Sequence, residues 1–215
     1  MRNLLRAISA ASLLIATCHA GATVITFDNL PVGTTLSNQY AGVVFSPNAF
    51  SGAAGPTGPW ATNTDMTVVS VSGSDVGALG APPLVGGNIL RSFTGWTNEN
   101  GDPSFRVSFA GAIDSFSADF AGVDTPADVR LFAYDGSSLL GSVVGSSTGQ
   151  FTLSFAAPRI TSLVITPGDF LDYVGVDNIR YQAAVIPVPE PGTFWLMSLG
   201  VVAFAWARRA QKARG

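Results

Sequence analysis

Ser104-Phe105-Arg106-Val107-Ser108-Phe109 and, a few residues on, Ser115-Phe116-Ser117-Ala118-Asp119-Phe120 alternate strictly between apolar and polar side chains. A period of two places Phe105, Val107 and Phe109 on one face of a strand, and Phe116, Ala118 and Phe120 on one face of another. Gln150-Phe151-Thr152-Leu153-Ser154-Phe155 repeats the pattern, and Asp135-Gly136 between 129–134 and 139–144 is a hairpin turn signal. Working outward, 23–27, 43–46, 67–71, 88–92, 159–165 and 174–181 are rich in β-branched and aromatic residues between Gly- and Ser-rich turns. No stretch between residues 23 and 186 has helical periodicity. About ten short strands predict an all-β domain, an antiparallel two-sheet sandwich. No repeat of fixed period points to a solenoid or propeller.

Both ends of the chain have a different character. Met1-Arg2-Asn3-Leu4-Leu5-Arg6 is a short basic start and 7–17 is an apolar stretch too short to span a membrane. Small residues at Ala20, Gly21 and Ala22 allow cleavage after Ala20 or Ala22, so residues 1–22 are expected to be a signal peptide with a helical apolar segment. A lipoprotein reading of Cys18 is the alternative, with Thr17 standing where such motifs usually carry Gly, Ala or Ser.

At the other end Val188-Pro189-Glu190-Pro191-Gly192 leads into an uncharged run over 193–207 with Trp195 and Trp206 near its ends, followed by Arg208, Arg209, Lys212 and Arg214. The prolines fix φ and remove backbone donors, giving a stiff extended spacer. The apolar run predicts a single transmembrane helix, its two tryptophans set as an interfacial belt and the basic end kept on the cytoplasmic side. At about 1.5 Å per residue it reaches roughly 22 Å against a hydrocarbon core of about 30 Å, a marginal span suited to temporary holding.

This tail, 187–215, resembles the PEP-CTERM sorting signal of Gram-negative bacteria, with Pro189, Glu190 and Pro191 as the signature. The resemblance implies an exosortase as partner, transient residence in the inner membrane, cleavage near the Pro-Glu-Pro motif and delivery to the cell surface or extracellular matrix, where such proteins accompany exopolysaccharide production. An ordinary stop-transfer anchor is the alternative. The stretches Val24-Ile25-Thr26-Phe27-Asp28-Asn29-Leu30-Pro31, Tyr40-Ala41-Gly42-Val43-Val44-Phe45-Ser46 and Val176-Asp177-Asn178-Ile179-Arg180-Tyr181 resemble the jelly-roll domains such proteins often carry, so the sandwich is expected to be jelly-roll-like over 23–186. Domains of that shape are similar to carbohydrate-binding modules, although fold alone does not assign function.

Composition narrows the chemistry. Cys18 and His19 are the only cysteine and histidine, and both leave with the signal. A mature domain without thiol or imidazole excludes cysteine nucleophiles, Ser-His-Asp triads and zinc sites of nitrogen and sulfur ligands. A bound metal would have to be held by oxygen, which points to calcium. Over 23–186 five arginines face thirteen acids, a charge near −8 that the basic termini reduce to −3 for the whole chain. Nucleic acid is therefore not an expected partner.

Three sets of residues are candidates. The first and last strands of a jelly roll often adjoin, which would bring Asp28 to Asp177 and Asn178. Val174 and Val176 share a face that Ile179 and Tyr181 leave, so a bulge is expected at 177–178, where oxygen ligands would suit structural calcium. Alternatively Asp28 and Asn29 open the Pro31–Gly33 turn. In the second set, Trp96 with Asn98 and Glu99, and Trp60 in its own loop, have the chemistry of sugar recognition, or else cap the sandwich ends. The third is a carboxylate pair for glycoside hydrolysis, for which Glu99 is the domain's only glutamate and no aspartate is singled out. The leading expectation is a non-enzymatic surface protein that binds or organises extracellular polysaccharide. The alternative is a secreted polysaccharide-degrading enzyme using Asp and Glu.

Overall fold

The structure, a computed structural model, describes residues 21–48, 61–62, 66–73, 76, 80–91, 101–102, 104–168, 174–184 and 209. The chain divides into two units, 1–184 and 185–215. In the second, Arg209 is described, helical and exposed. No helix among the described residues is long and apolar enough to cross a membrane, and the run 193–207 lies outside them, as does the signal segment up to Ala20.

Among its described residues the first unit is all-β. Its strands are β1 (Ala22–Ile25), β2 (Val43–Pro47), β3 (Ala61–Thr62), β4 (Thr67–Ser70), β5 (Asn88–Arg91), β6 (Gly101–Asp102), β7 (Phe105–Val123), β8 (Val129–Asp135), β9 (Ser138–Val144), β10 (Gly149–Pro167) and β11 (Gly175–Ala183). The expected hairpin at Asp135-Gly136 joins β8 to β9, with Gly136 at φ 59°, a conformation glycine adopts without strain.

The sequence predicts separate strands at 104–109 and 115–120, and again at 150–155 and 159–165. The structure corrects both: each pair is one strand of 19 residues, β7 and β10. The apparent breaks are bends. Between Ala156 and Ile160 the register against β7 slips, Arg159 takes φ 66°, and Pro158 sits where no ladder partner needs its missing N–H. One nine-stranded antiparallel sheet therefore replaces two separate ones, and it is sandwich-like because β7 and β10 run through both layers. In one layer the order is β2-β7-β10-β8-β9. In the other, β10-β7-β11 is flanked by β1 and β5, with β4 beyond. A parallel pairing of β3 with β6 stands apart from this sheet.

One core lies between the layers. Phe27, Phe45, Phe105 and Phe120 are fully buried, and Phe45 meets Phe27 edge-on at 6.3 Å between ring centres. Removing such a ring from water contributes about 2–3 kcal/mol, and with no cysteine in 23–186 to crosslink it the domain depends on this apolar core. Beyond residue 117 the alternation of β7 gives way to six consecutive buried positions, 118–123. That run is possible only where both faces of the sheet are covered.

Candidate functional site

The outer face of the β1-β11-β7-β10 layer follows from the alternation. Facing inward are Phe116, Ala118 and Phe120 of β7, opposed by Tyr181 and Val176 of β11 and by Phe155, Leu153 and Phe151 of β10. Facing outward are therefore Ser115, Ser117, Asp119 and Ala121, with Ser154 opposite Ser117 and Gln150 opposite Ala121. On β11 the bulge expected at 177–178 is present: Asp177 opposes Asp119, yet Arg180 opposes Ser117, one residue more than the ladder requires. Asn178 takes that extra place at φ 48°, which asparagine tolerates better than most residues. The insertion returns Ile179 and Tyr181 to the core side and turns Asp177 and Arg180 both outward.

Half of this outer face lies under the 80–87 loop, which side chains clasp to the sheet. The carboxylate of Asp177 accepts the Gly86 N–H at 3.2 Å and its own neighbour's, Asn178, at 2.6 Å. Asp28 accepts the Asn88 N–H at 2.8 Å, and the Asn88 amide donates to the Leu30 carbonyl. The Asn178 side chain donates to the Leu84 carbonyl at 2.9 Å. Gln150 accepts the Leu84 N–H and donates to the Pro82 carbonyl, both at 2.6 Å. Val85 inserts beneath the loop with Ile89 against Ala121, a small second core. Gly87, at φ 61°, has no room for a side chain because a Cβ there would strike the Asp28 carboxylate.

Under this cover two aspartates are almost wholly buried, and their environments differ. Asp119 is held by the Arg180 guanidinium through two bonds, 3.1 and 2.9 Å, and by the Thr152 hydroxyl at 2.6 Å. The same ion pair raises the pKa of Arg180. Asp177 forms no ion pair among the described residues, although Arg180 lies near enough to feel its charge. Burial pushes its carboxyl up to about 7; the Asn178 and Gly86 amides pull the other way, and the neighbouring Asp28 and Asp119 push it up further. Tyr40, which donates to Asn29 at 2.9 Å, also titrates above its ordinary value, through burial first and then the nearby Asp177 and Asp28.

Beyond Arg180 the same face is open. A cleft of about 360 Å³ lies across β1, β11, β7 and β10, floored by Ala22, Ser115, Ser117, Ser154 and Ala156 and walled by Arg180 and Gln182.

The structure thus brings together Asp28, Asp177 and Asn178, around the 84–88 backbone. Their contacts in this arrangement are amide N–H groups and a carbonyl, and no group of three acidic or imidazole side chains forms a metal cluster among the described residues. Asp119, Arg180 and Thr152 were not singled out by sequence reasoning. The signal available was an acid at mid-strand, Asp119, on the polar phase of an otherwise serine-bearing face. Trp60, Trp96, Asn98, Glu99, Pro189, Glu190, Pro191, Arg208, Lys212 and Arg214 lie outside the described residues.

The family model described as the PEP-CTERM protein-sorting motif matches residues 187–209. The chain carries a PEP-CTERM sorting motif. No curated protein matches the chain in sequence. Among solved structures, the PEP-CTERM chain is similar to the K2 cleaved adhesin domain of Lys-gingipain, at 12% identity and a TM-score of 0.48, over 75% of this chain and 99% of that one. It is similar to a Stig cyclase, FisC from Fischerella sp. TAU, at 14% identity and a TM-score of 0.42, over 76% and 98%. A mutant of a family 29 carbohydrate-binding module is similar at 13% identity and a TM-score of 0.30, over 68% and 99%.

Proposed function

We propose that this is an exported protein of a Gram-negative cell, held briefly in the inner membrane by its tail, cut by an exosortase near Pro189-Glu190-Pro191 and delivered to the cell surface or matrix. There it binds or organises exopolysaccharide without turning it over. The observation that carries the sorting half is the PEP-CTERM match over 187–209. The chemistry of the tail fits: a proline spacer keeps the peptide extended for a protease, and a marginal apolar span followed by Arg208, Arg209, Lys212 and Arg214 holds the chain without committing it to the bilayer.

A binding role rather than hydrolysis is supported by how the buried carboxylates are used. A hydrolase needs two accessible carboxyls roughly 5–9.5 Å apart with room for a sugar or water between them. Asp177 has the raised pKa of a general acid, yet both its oxygens accept backbone N–H groups beneath the 80–87 loop. Asp119 is locked to Arg180 and Thr152. Calcium joins the proposal as an addition at Asp28, Asp177 and Asn178. It would have to displace the Gly86 and Asn88 amides, so its affinity belongs in the millimolar range of extracellular sites. Trp60 and Trp96, with Asn98 and Glu99, supply aromatic and polar groups of the kind that meet sugars.

The intact mass of the protein recovered from the surface of its native host tests the sorting half. The expected mass ends close to Pro189-Glu190-Pro191 and begins at Gly21 or Thr23. A mass that still includes Trp206 and Arg208 replaces sorting with a simple anchor.

A further inference from the structure

We infer that the open half of the outer face, the cleft between Arg180 and Ala156, is the polysaccharide site, and that the chain it takes is uncharged. The inference rests on the polysaccharide-binding reading above and adds where the chain lies and of what class it is.

The recess is built by the sequence. Three of its strands place small outward side chains on its floor, Ala22 on β1, Ser115 and Ser117 on β7, Ser154 and Ala156 on β10, and the cleft also borders Phe116, Phe155 and Tyr181. Longer residues on β11, Arg180 and Gln182, rise beside them. The pairing register sets these in two rungs. Ala22 opposes Gln182, which opposes Ser115, which opposes Ala156; Val24 opposes Arg180, which opposes Ser117, which opposes Ser154. Strands about 4.8 Å apart and residues about 6.8 Å apart along each strand make a trough about 14 Å long and two rungs wide. The 80–87 loop closes the face on the Asp177 side, so an extended ligand lies across the strands.

The uncharged polar groups of the trough are uncommitted. The hydroxyls of Ser115, Ser117 and Ser154 and the amide of Gln182 make no hydrogen bond with another described residue, in contrast to Thr152, Asn178 and Gln150 one to two rungs further on, which are all engaged. Alanines and serine Cβ atoms between them, with the exposed Val24 beside Arg180, leave apolar patches among the hydroxyls. Sugar rings present the same mixture, hydroxyls around apolar C–H faces. Because the donors stand on paired strands, binding orders few side chains.

Charge decides the class. Arg180 is the one cation of the trough, and Asp119 neutralises it through two bonds. Apart from this pair, residues 23–186 carry four arginines, no lysine and twelve acids. A uronate or sulfated chain would meet net repulsion here, whereas an uncharged chain meets only its own desolvation.

The test is native gel electrophoresis of the full-length protein in a polyoxyethylene detergent, through gels cast with the neutral or the acidic fraction of the host's extracellular polysaccharide. Three proteins are run: wild type, Ser117→Leu/Ser154→Leu, which fills the trough, and Gln182→Ala, an exposed truncation that spares the fold. Wild type should be retarded by the neutral fraction only. The double variant should bind at least tenfold more weakly and Gln182→Ala severalfold more weakly, both with unchanged melting. Retardation of all three proteins alike overturns the trough while leaving the polysaccharide reading intact. Retardation by the acidic fraction alone overturns the uncharged class, and no retardation by either fraction removes the polysaccharide reading and this inference together. If the double variant fails to fold, Gln182→Ala decides: unweakened binding overturns the trough.

Discussion

The two ends of one sheet face make opposite use of the same lattice. Around Asp177 and Asp119 the two carboxylates are buried and the polar groups are engaged: a loop is clasped by Asp28, Asp177, Asn178 and Gln150, and a guanidinium fork closes on Asp119. One and two rungs away Ser117, Ser154 and Ser115 stand over an open cleft with nothing to hold. Arg180 is the boundary. What differs is cover. Without it a serine costs nothing to leave unpaired, since water serves it; under it, each carboxylate needs a donor or must give up its charge.

Removing the boundary should have the largest effect. Arg180→Ala leaves the Asp119 carboxylate buried with only Thr152, and a loss of about 2–4 kcal/mol is expected, read as a lower denaturant midpoint. Restoring most of it with Asp119→Asn in the same chain would confirm that the loss is the uncompensated charge. An Arg180→Ala protein as stable as wild type would break the contrast between the two ends.

The next effect depends on pH. The folded-state pKa of Asp177, about 7, lies above its ordinary value of 3.8, so the folded protein binds this proton more tightly than the unfolded chain does. The contribution is therefore fully present below about pH 4 and lost as pH rises through 7. Between pH 5 and pH 8 wild type should lose about 2–3 kcal/mol relative to Asp177→Asn. Parallel melting curves for the two proteins across that range would show that the covered end accommodates the charge.

Calcium sharpens the comparison by a smaller amount. At pH 8, where Asp177 is ionised beside Asp28, millimolar calcium should raise the melting temperature slightly and EDTA reverse it, and Asp177→Asn should abolish the response. Unchanged melting in millimolar calcium, with no metal in the purified protein, retires the ion.

The legible part of the fold is the part set by local period. Phe105, Phe116 and Phe151 announced their strands, Asp135-Gly136 its turn, and the phase change between Val176 and Ile179 its bulge, because each is a rule of adjacent residues. The union of 104–109 with 115–120 was hidden, since Gly111 and Pro158 look alike whether the chain turns back or merely bends. The Asp119–Arg180 pair was hidden for another reason: 61 residues separate the partners, and only the register of β11 on β7 brings them together. Asp28 and Asp177 could be matched from the meeting of chain ends, but the amides between them come from a loop that no pattern had placed.

β11 is both the last strand of the domain and an interior one, with β7 on one side and β1 and β5 on the other. A chain threaded amino end first through a membrane therefore emerges with its sheet split down the middle. β1 has no partner and β7 lacks one flank until Ala183 is through. That residue comes only four positions before the sorting motif at 187. On the proposed export route the sheet can close, and the 80–87 loop can find Asp177 and Asn178, only in the last moments of passage. Completing the fold and presenting the tail for the proposed cut are then nearly simultaneous, as the strand order requires.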